Sequence, residues 1–164
     1  MLDEETRVLR KQLFDFLFDL EVKKAIRYQY FVTVLFLELD WGDGAGAVET
    51  PPLARNELLR VVAGLLRDEL RATDVIGRHL EDRFSILLHH ADDANTVRVG
   101  ERLRRRVADY VFGQGMDGRR TVSIGGACFP TNGNYADDLL SEAERMLQRA
   151  KEDGGNKVYV APRE

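Results

Sequence analysis

Residues 31–40 read FVTVLFLELD, ten positions dominated by β-branched and aromatic side chains and closed by two acids. Such a run is a buried strand, and it places carboxylates at the strand's exit. The segments around it set the class. Residues 3–28 carry Val8, Leu9, Leu13, Phe14, Leu17, Phe18 and Leu20 between charges, a helical spacing. Residues 41–54 hold three Gly and two Pro and form a loop. Residues 55–72 form an amphipathic helix, 75–79 and 84–88 two short strands with a turn between them, and 92–109 a helix. Residues 120–129 form a strand, 136–152 a helix and 157–160 a last short strand. Helices and strands are mixed, with an antiparallel hairpin in the middle. This favours an α/β sandwich of the α+β kind over a doubly wound parallel sheet.

At 164 residues the chain suits one compact domain, with a helix over 1–28 leading into a body over 29–164. The formal charge of −4 is a poor basis for sequence-independent binding to nucleic acid, which needs a cationic surface. A single cysteine, Cys128, allows no internal disulfide and fits a reducing compartment. The first residues are charged and lack a signal-peptide pattern, and no apolar run approaches the ~18 residues of a membrane span. The expectation is a cytoplasmic protein without membrane insertion.

Five segments resemble the GGDEF family, the diguanylate cyclase domains, in the family's order. RATDVIGRHLEDRF (71–84) aligns without a gap on R-x-x-D-x-V-A-R-L-G-G-D-E-F. VLFLELD (34–40) resembles the family's strand ending in D-x-D, and TVSIGGACFP (121–130) its T-V-S-I-G-V-A strand. EAERMLQRAKEDGGNKV (142–158) resembles A-D-x-A-L-Y-x-A-K-x-x-G-R-N-x-V, and DEETRVLRKQLF (3–14) echoes D-x-L-T-G-L-x-N-R-R-x-F. The likeness runs from about residue 3 to 160. It implies the palm-like fold of nucleotide cyclases, a central, mostly antiparallel sheet flanked by helices.

It also implies a catalytic centre, and here the sequence departs from the family. Joining two GTP molecules requires divalent metal held by carboxylates and a turn whose backbone approaches the nucleotide. Glu38 matches the first acid of D-x-D and Asp40 the second. The turn is Leu80-Glu81-Asp82-Arg83-Phe84. Leu80 and Glu81 replace the paired glycines and Asp82 keeps the first acid. Arg83 replaces the second, a metal ligand in the family; a guanidinium cannot ligate metal and is expected to pair with Glu38 or Asp82 instead. The guanine-recognising Asn would fall near Gly46. The guanine-binding Asp matches Asn56, and the Gly before it matches Arg55. Lys151 matches the triphosphate-contacting Lys, but its partner Arg is Gly155. The resemblance therefore implies vestigial nucleotide positions (Asn56, Lys151), vestigial metal positions (Glu38, Asp82), no bound metal, no cofactor and no turnover.

What survives is R-x-x-D. In the family this motif, upstream of the turn, forms an inhibitory site for cyclic di-GMP. Arg71 and Asp74 stand at the matching positions, with Arg102 from the next helix and Arg98 one turn earlier. Arginine forks suit phosphates and guanine edges, and Asp accepts from guanine N–H groups. The implied function is a regulatory module in cyclic di-GMP signalling that works through a protein partner, with a homodimer as an open option. Two alternatives stand beside it: an interaction scaffold without nucleotide, and a GTP-binding allosteric domain using Lys151 and the acids. Each residue also has a plainer role. Arg71 suits the last turn of a helix, Asp74 an ordinary turn, and 98–106 a solvated helix face. His79, His89 and His90 suit strand ends or surface, Trp41 packing, and Cys128 a core thiol. The apolar stripe over 8–20 is a dimer or linker surface, or packs on the domain's own core.

Overall fold

The computed structural model describes residues 2–4, 6–41, 52–80, 82–112 and 119–162. The elements are α1 (Lys11–Tyr28), β1 (Val32–Leu39), α2 (Pro52–Glu69), β2 (Val75–Leu80), β3 (Arg83–His89), α3 (Asp93–Asp109), β4 (Val122–Phe129), α4 (Ala136–Glu152) and β5 (Val158–Val160). The five strands form one sheet in the order β2-β3-β1-β4-β5. β1 is central and antiparallel to β3 and β4; only β5, beside β4, runs parallel to its neighbour.

The period of two along β1 divides the core. Leu35, Leu37 and Leu39 pack with Leu58, Leu59, Val62 and Leu66 of α2 and Leu103 and Val107 of α3. Val32, Val34 and Phe36 face the other way, onto Phe14, Phe18 and Val22 of α1 and Leu139, Ala143 and Leu147 of α4. Helices thus cover both faces, which is why the strand tolerates a nearly unbroken apolar run. Glu38 continues the second set and emerges on the α1/α4 face. Gly125 sets the height of α4: a Cβ there would meet the Leu147 nitrogen at 2.1 Å and the Ala143 oxygen at 2.5 Å.

Two boundaries differ from expectation. The first helix begins at Lys11 rather than residue 3. Asp3 instead accepts hydrogen bonds from the Thr6 N–H (2.9 Å) and hydroxyl (2.6 Å), a turn chemistry that competes with helix. Leu9 then bridges Gly77, donating to the Ile76 carbonyl and accepting from the Arg78 N–H, and so covers the edge of β2. The second helix begins at Pro52 rather than 55, and proline suits a first turn that needs no amide donor. The expected loop position Gly46 lies outside the described residues.

Candidate functional site

Two places carry the residues singled out in the sequence. The first is a cleft of about 570 Å³ at the exit of β1, lined by Glu38, Asp40, Trp41, Asp82, Lys151 and Gly155 among others. Antiparallel register sets Glu38 directly opposite Arg83 on β3. Arg83 is only 4% exposed. Its Nε donates to Glu38 Oε1 at 3.1 Å, its Nη1 to Glu144 Oε2, and its Nη2 to Glu144 Oε1 at 3.3 Å. The guanidinium also lies over the Phe36 ring, 5.2 Å from its centre. Lys151 Nζ occupies the other oxygen of Glu38 at 2.5 Å. Both carboxylate oxygens of Glu38 therefore carry protein cations.

Burial pushes the Glu144 carboxyl up, but the hydrogen bond and charge of Arg83, with Gln148 and His79, outweigh it and hold the group below its ordinary range. Burial lowers His79, and the charges of Lys11 and Arg83 lower it further.

The other acids are engaged as well. Asp82 does not meet Arg83; it accepts from Arg55 Nη1 at 2.8 Å. Arg55 in turn lies 4.4 Å above the Trp41 ring, which Arg120 approaches at 5.6 Å. Asp40 accepts from the Thr121 and Ser123 hydroxyls, both at 2.6 Å, and from the Asn156 N–H at 2.9 Å. It is a clasp joining β1, β4 and the turn before β5. Asn56 is half-buried beside Arg55, and Leu80 is exposed at the hairpin tip; Glu81 lies outside the described residues. Phe84 packs in the core under α2. Among the described residues no cluster of three His, Cys, Asp or Glu could hold a metal ion. A divalent cation on Glu38 would have to displace both Arg83 and Lys151, so the donor set does not fit one. Lys151, on which a GTP-binding reading depends, pairs with Glu38.

The second place is the corner between α2 and α3. Asp74 Oδ2 accepts from the Arg71 N–H at 3.0 Å, and the Asp74 N–H donates to the Arg71 carbonyl at 3.0 Å, closing a four-residue β-turn. The Arg71 side chain is exposed. Arg102 donates through Nη2 to the Glu69 carbonyl at 2.8 Å and lies 3.2 Å from the Glu69 carboxylate through Nε. Glu69 lies two residues before Arg71 in sequence. Arg98 lines the adjoining cleft of about 610 Å³ with Glu69, Arg102, Arg105 and Arg106.

The His89 and His90 rings lie 6.4 Å apart, and His79 stands elsewhere against Phe36. The His79 ring lies tilted 4.6 Å from Phe36, His89 Nε2 lies 3.4 Å from Glu21, and the His90 ring lies tilted 4.9 Å from Tyr30. Cys128 is buried, accepts from Thr33 Oγ1 at 3.2 Å, and has its thiol pushed up by burial. Sequence reading missed Glu144 and the Arg55–Asp82 pair. Glu144, Gln148 and Lys151 recur at i, i+4 and i+7, so the shared face of α4 was visible, but not what it would face.

The model of the family described as "Diguanylate cyclase, GGDEF domain" matches residues 53–157. The chain belongs to the GGDEF domain family. It is 29% identical to diguanylate cyclase DosC of Escherichia coli K12 over 97% of this chain and 35% of DosC, so it spans about a third of that relative's length. Its fold superposes on the GGDEF domain of DgcB from Caulobacter crescentus, solved in complex with c-di-GMP, with a TM-score of 0.84 (18% identity, 97% of this chain and 92% of that one). It also matches diguanylate cyclase SiaD from Pseudomonas aeruginosa, solved with its activator SiaC, with a TM-score of 0.82 (21% identity, 98% and 61%). No helix among the described residues of this GGDEF domain is long and apolar enough to cross a membrane.

Proposed function

We propose that this GGDEF domain is catalytically inactive and serves as a cytoplasmic regulatory module in cyclic di-GMP signalling. It binds cyclic di-GMP through Arg71, Asp74 and Arg102, with Arg98 assisting, and signals through a protein partner. The observation that carries the inactivity is the double engagement of Glu38 by Arg83 and Lys151. A site whose metal acid is already neutralised by two protein cations gains nothing from magnesium and loses two ion pairs by taking it.

The corner supports the ligand reading by its chemistry. Arg71 is solvent-facing, Asp74 uses Oδ2 in its turn, and Arg102, itself half-exposed, pairs with Glu69 at the end of α2. The complexes of DgcB with c-di-GMP and of SiaD with SiaC are further support by likeness.

A second reading, a scaffold that binds no nucleotide, is favoured by the internal partners of Asp74 and Arg102. Calorimetric titration with cyclic di-GMP decides between them, with Arg71→Ala beside the parent. Micromolar binding that weakens at least tenfold in the variant sustains the receptor. No heat from the parent leaves the scaffold. Cyclic di-GMP formed from GTP and magnesium would refute inactivity.

A further inference from the structure

α2 ends at Glu69, and the last carbonyls of a helix have no partner within it. At this end the partners come from α3. Leu103 and Val107 anchor α3 in the core that it shares with α2. Arg102 and Arg106, four residues apart and so on one side of α3, reach the end of α2 together. Arg102 Nη2 donates to the Glu69 carbonyl at 2.8 Å. Its Nε lies 3.2 Å from Glu69 Oε2, and Arg106 Nε lies 3.4 Å from Glu69 Oε1. One carboxylate therefore bridges two arginines, an oxygen to each. Asp68, the neighbouring acid, stands 3.7 Å from Arg106 and is 68% exposed, against 26% for Glu69.

A carboxylate bridging two guanidinium groups does what a phosphate would do there, since the oxygens of both anions accept from arginine forks. We infer that Glu69 is a built-in gate on the corner: its carboxylate stands in for a ligand phosphate on Arg102 and Arg106, and a phosphate-bearing ligand binds by displacing it. This rests on the reading of the corner as a cyclic di-GMP site.

The exchange leaves the scaffold intact. The Glu69 carbonyl keeps its bond to Arg102 Nη2, so the guanidinium stays in place while Nε changes anion. The displaced carboxylate turns to solvent, which it already partly meets. The gate lowers the apparent affinity of every phosphate ligand by the fraction of molecules in which the arginines are free of Glu69. A lone phosphate only replaces one anion with another and stays unbound. A ligand with two phosphates and two guanines also engages Arg71 and Asp74, and those contacts outweigh the carboxylate. The internal partner of Arg102 is then the device that reserves the corner for a ligand of that size.

Calorimetric titrations with cyclic di-GMP and, separately, with inorganic pyrophosphate test the gate in the parent, Glu69→Gln, Glu69→Ala and Asp68→Asn. Circular dichroism confirms that each folds. Opening two partly exposed ion pairs should tighten cyclic di-GMP about tenfold in both Glu69 variants. Asp68→Asn removes the same charge one residue away and should change the affinity by less than about twofold. Pyrophosphate, which offers phosphates without bases, should bind both Glu69 variants more tightly than the parent, and adding Arg102→Ala should abolish that gain. Equal cyclic di-GMP affinity in the parent and the Glu69 variants, or an equal gain in Asp68→Asn, overturns the gate and leaves the corner a receptor. A pyrophosphate gain in the Glu69 variants without cyclic di-GMP binding by any of the four proteins sustains the gate and overturns the receptor. Heat from neither ligand in any protein overturns both.

Discussion

The cleft at the end of β1 and the corner between α2 and α3 are built from the same residue types to opposite effect. Both set arginines against carboxylates. In the cleft, Arg83 is almost wholly buried, its donors are spread over two acids, and Lys151 completes the set. At the corner, Arg102 is half-exposed and leans on a helix terminus, while Arg71 points to solvent. Buried charge that loses its partner is penalised by desolvation, whereas exposed charge is rescued by water. The cleft is therefore a structural element and the corner a surface with cations in reserve.

The sharpest way to break that contrast is Arg83→Ala. It leaves Glu38 and Glu144 facing each other without their shared cation, and should cost about 3 kcal/mol in urea unfolding. A loss under ~1 kcal/mol would mean that water reaches the cleft and the contrast is false. Asp40→Ala comes next. Two hydroxyl donors and one backbone N–H lose their acceptor, for an expected loss of about 2 kcal/mol by the same measurement. Arg102→Ala should move stability by no more than ~1 kcal/mol, since Arg102 is itself half-exposed. Should it also weaken cyclic di-GMP in the titration, the corner is a site as well as a surface.

The smallest effect sharpens the comparison through pH. The folded Glu144 carboxyl titrates below its ordinary value, so its contribution is complete above about pH 4.5 and fades as pH falls through the lower folded value. Glu144 is partly exposed, and the effect should stay within about 1 kcal/mol. In Glu144→Gln the acid limb of the stability profile should be flatter; an unchanged limb would show that Arg83 is served by Glu38 alone.

Much of this was legible in the residues. The apolar run over 31–40 announced the central strand, and the 3.6 and 2 periods placed four helices and five strands nearly where they lie. The start of the first helix was not legible, because Val8 and Leu9 continue an apolar spacing while Asp3 caps a turn and Leu9 pairs with β2. That Arg83 would pair with Glu38 or Asp82 followed from the family register; the structure shows Glu38. That Asp82 would go to Arg55, and Glu144 to Arg83, did not. Those partners are 27 and 61 residues away in sequence, and only the packing of α2 and α4 brings them in.

The sequence by itself therefore determined the elements, their order and the presence of a cation at Arg83, because periodicity and side-chain chemistry are local properties. The tertiary structure alone decided which charges are shared and how deeply. Register across β1 and β3 sets Glu38 against Arg83, and the height of α4 over Gly125 delivers Glu144 and Lys151. Whether a charge is buried or left to solvent is a property of the assembled surface, and that distinction separates the cleft from the corner.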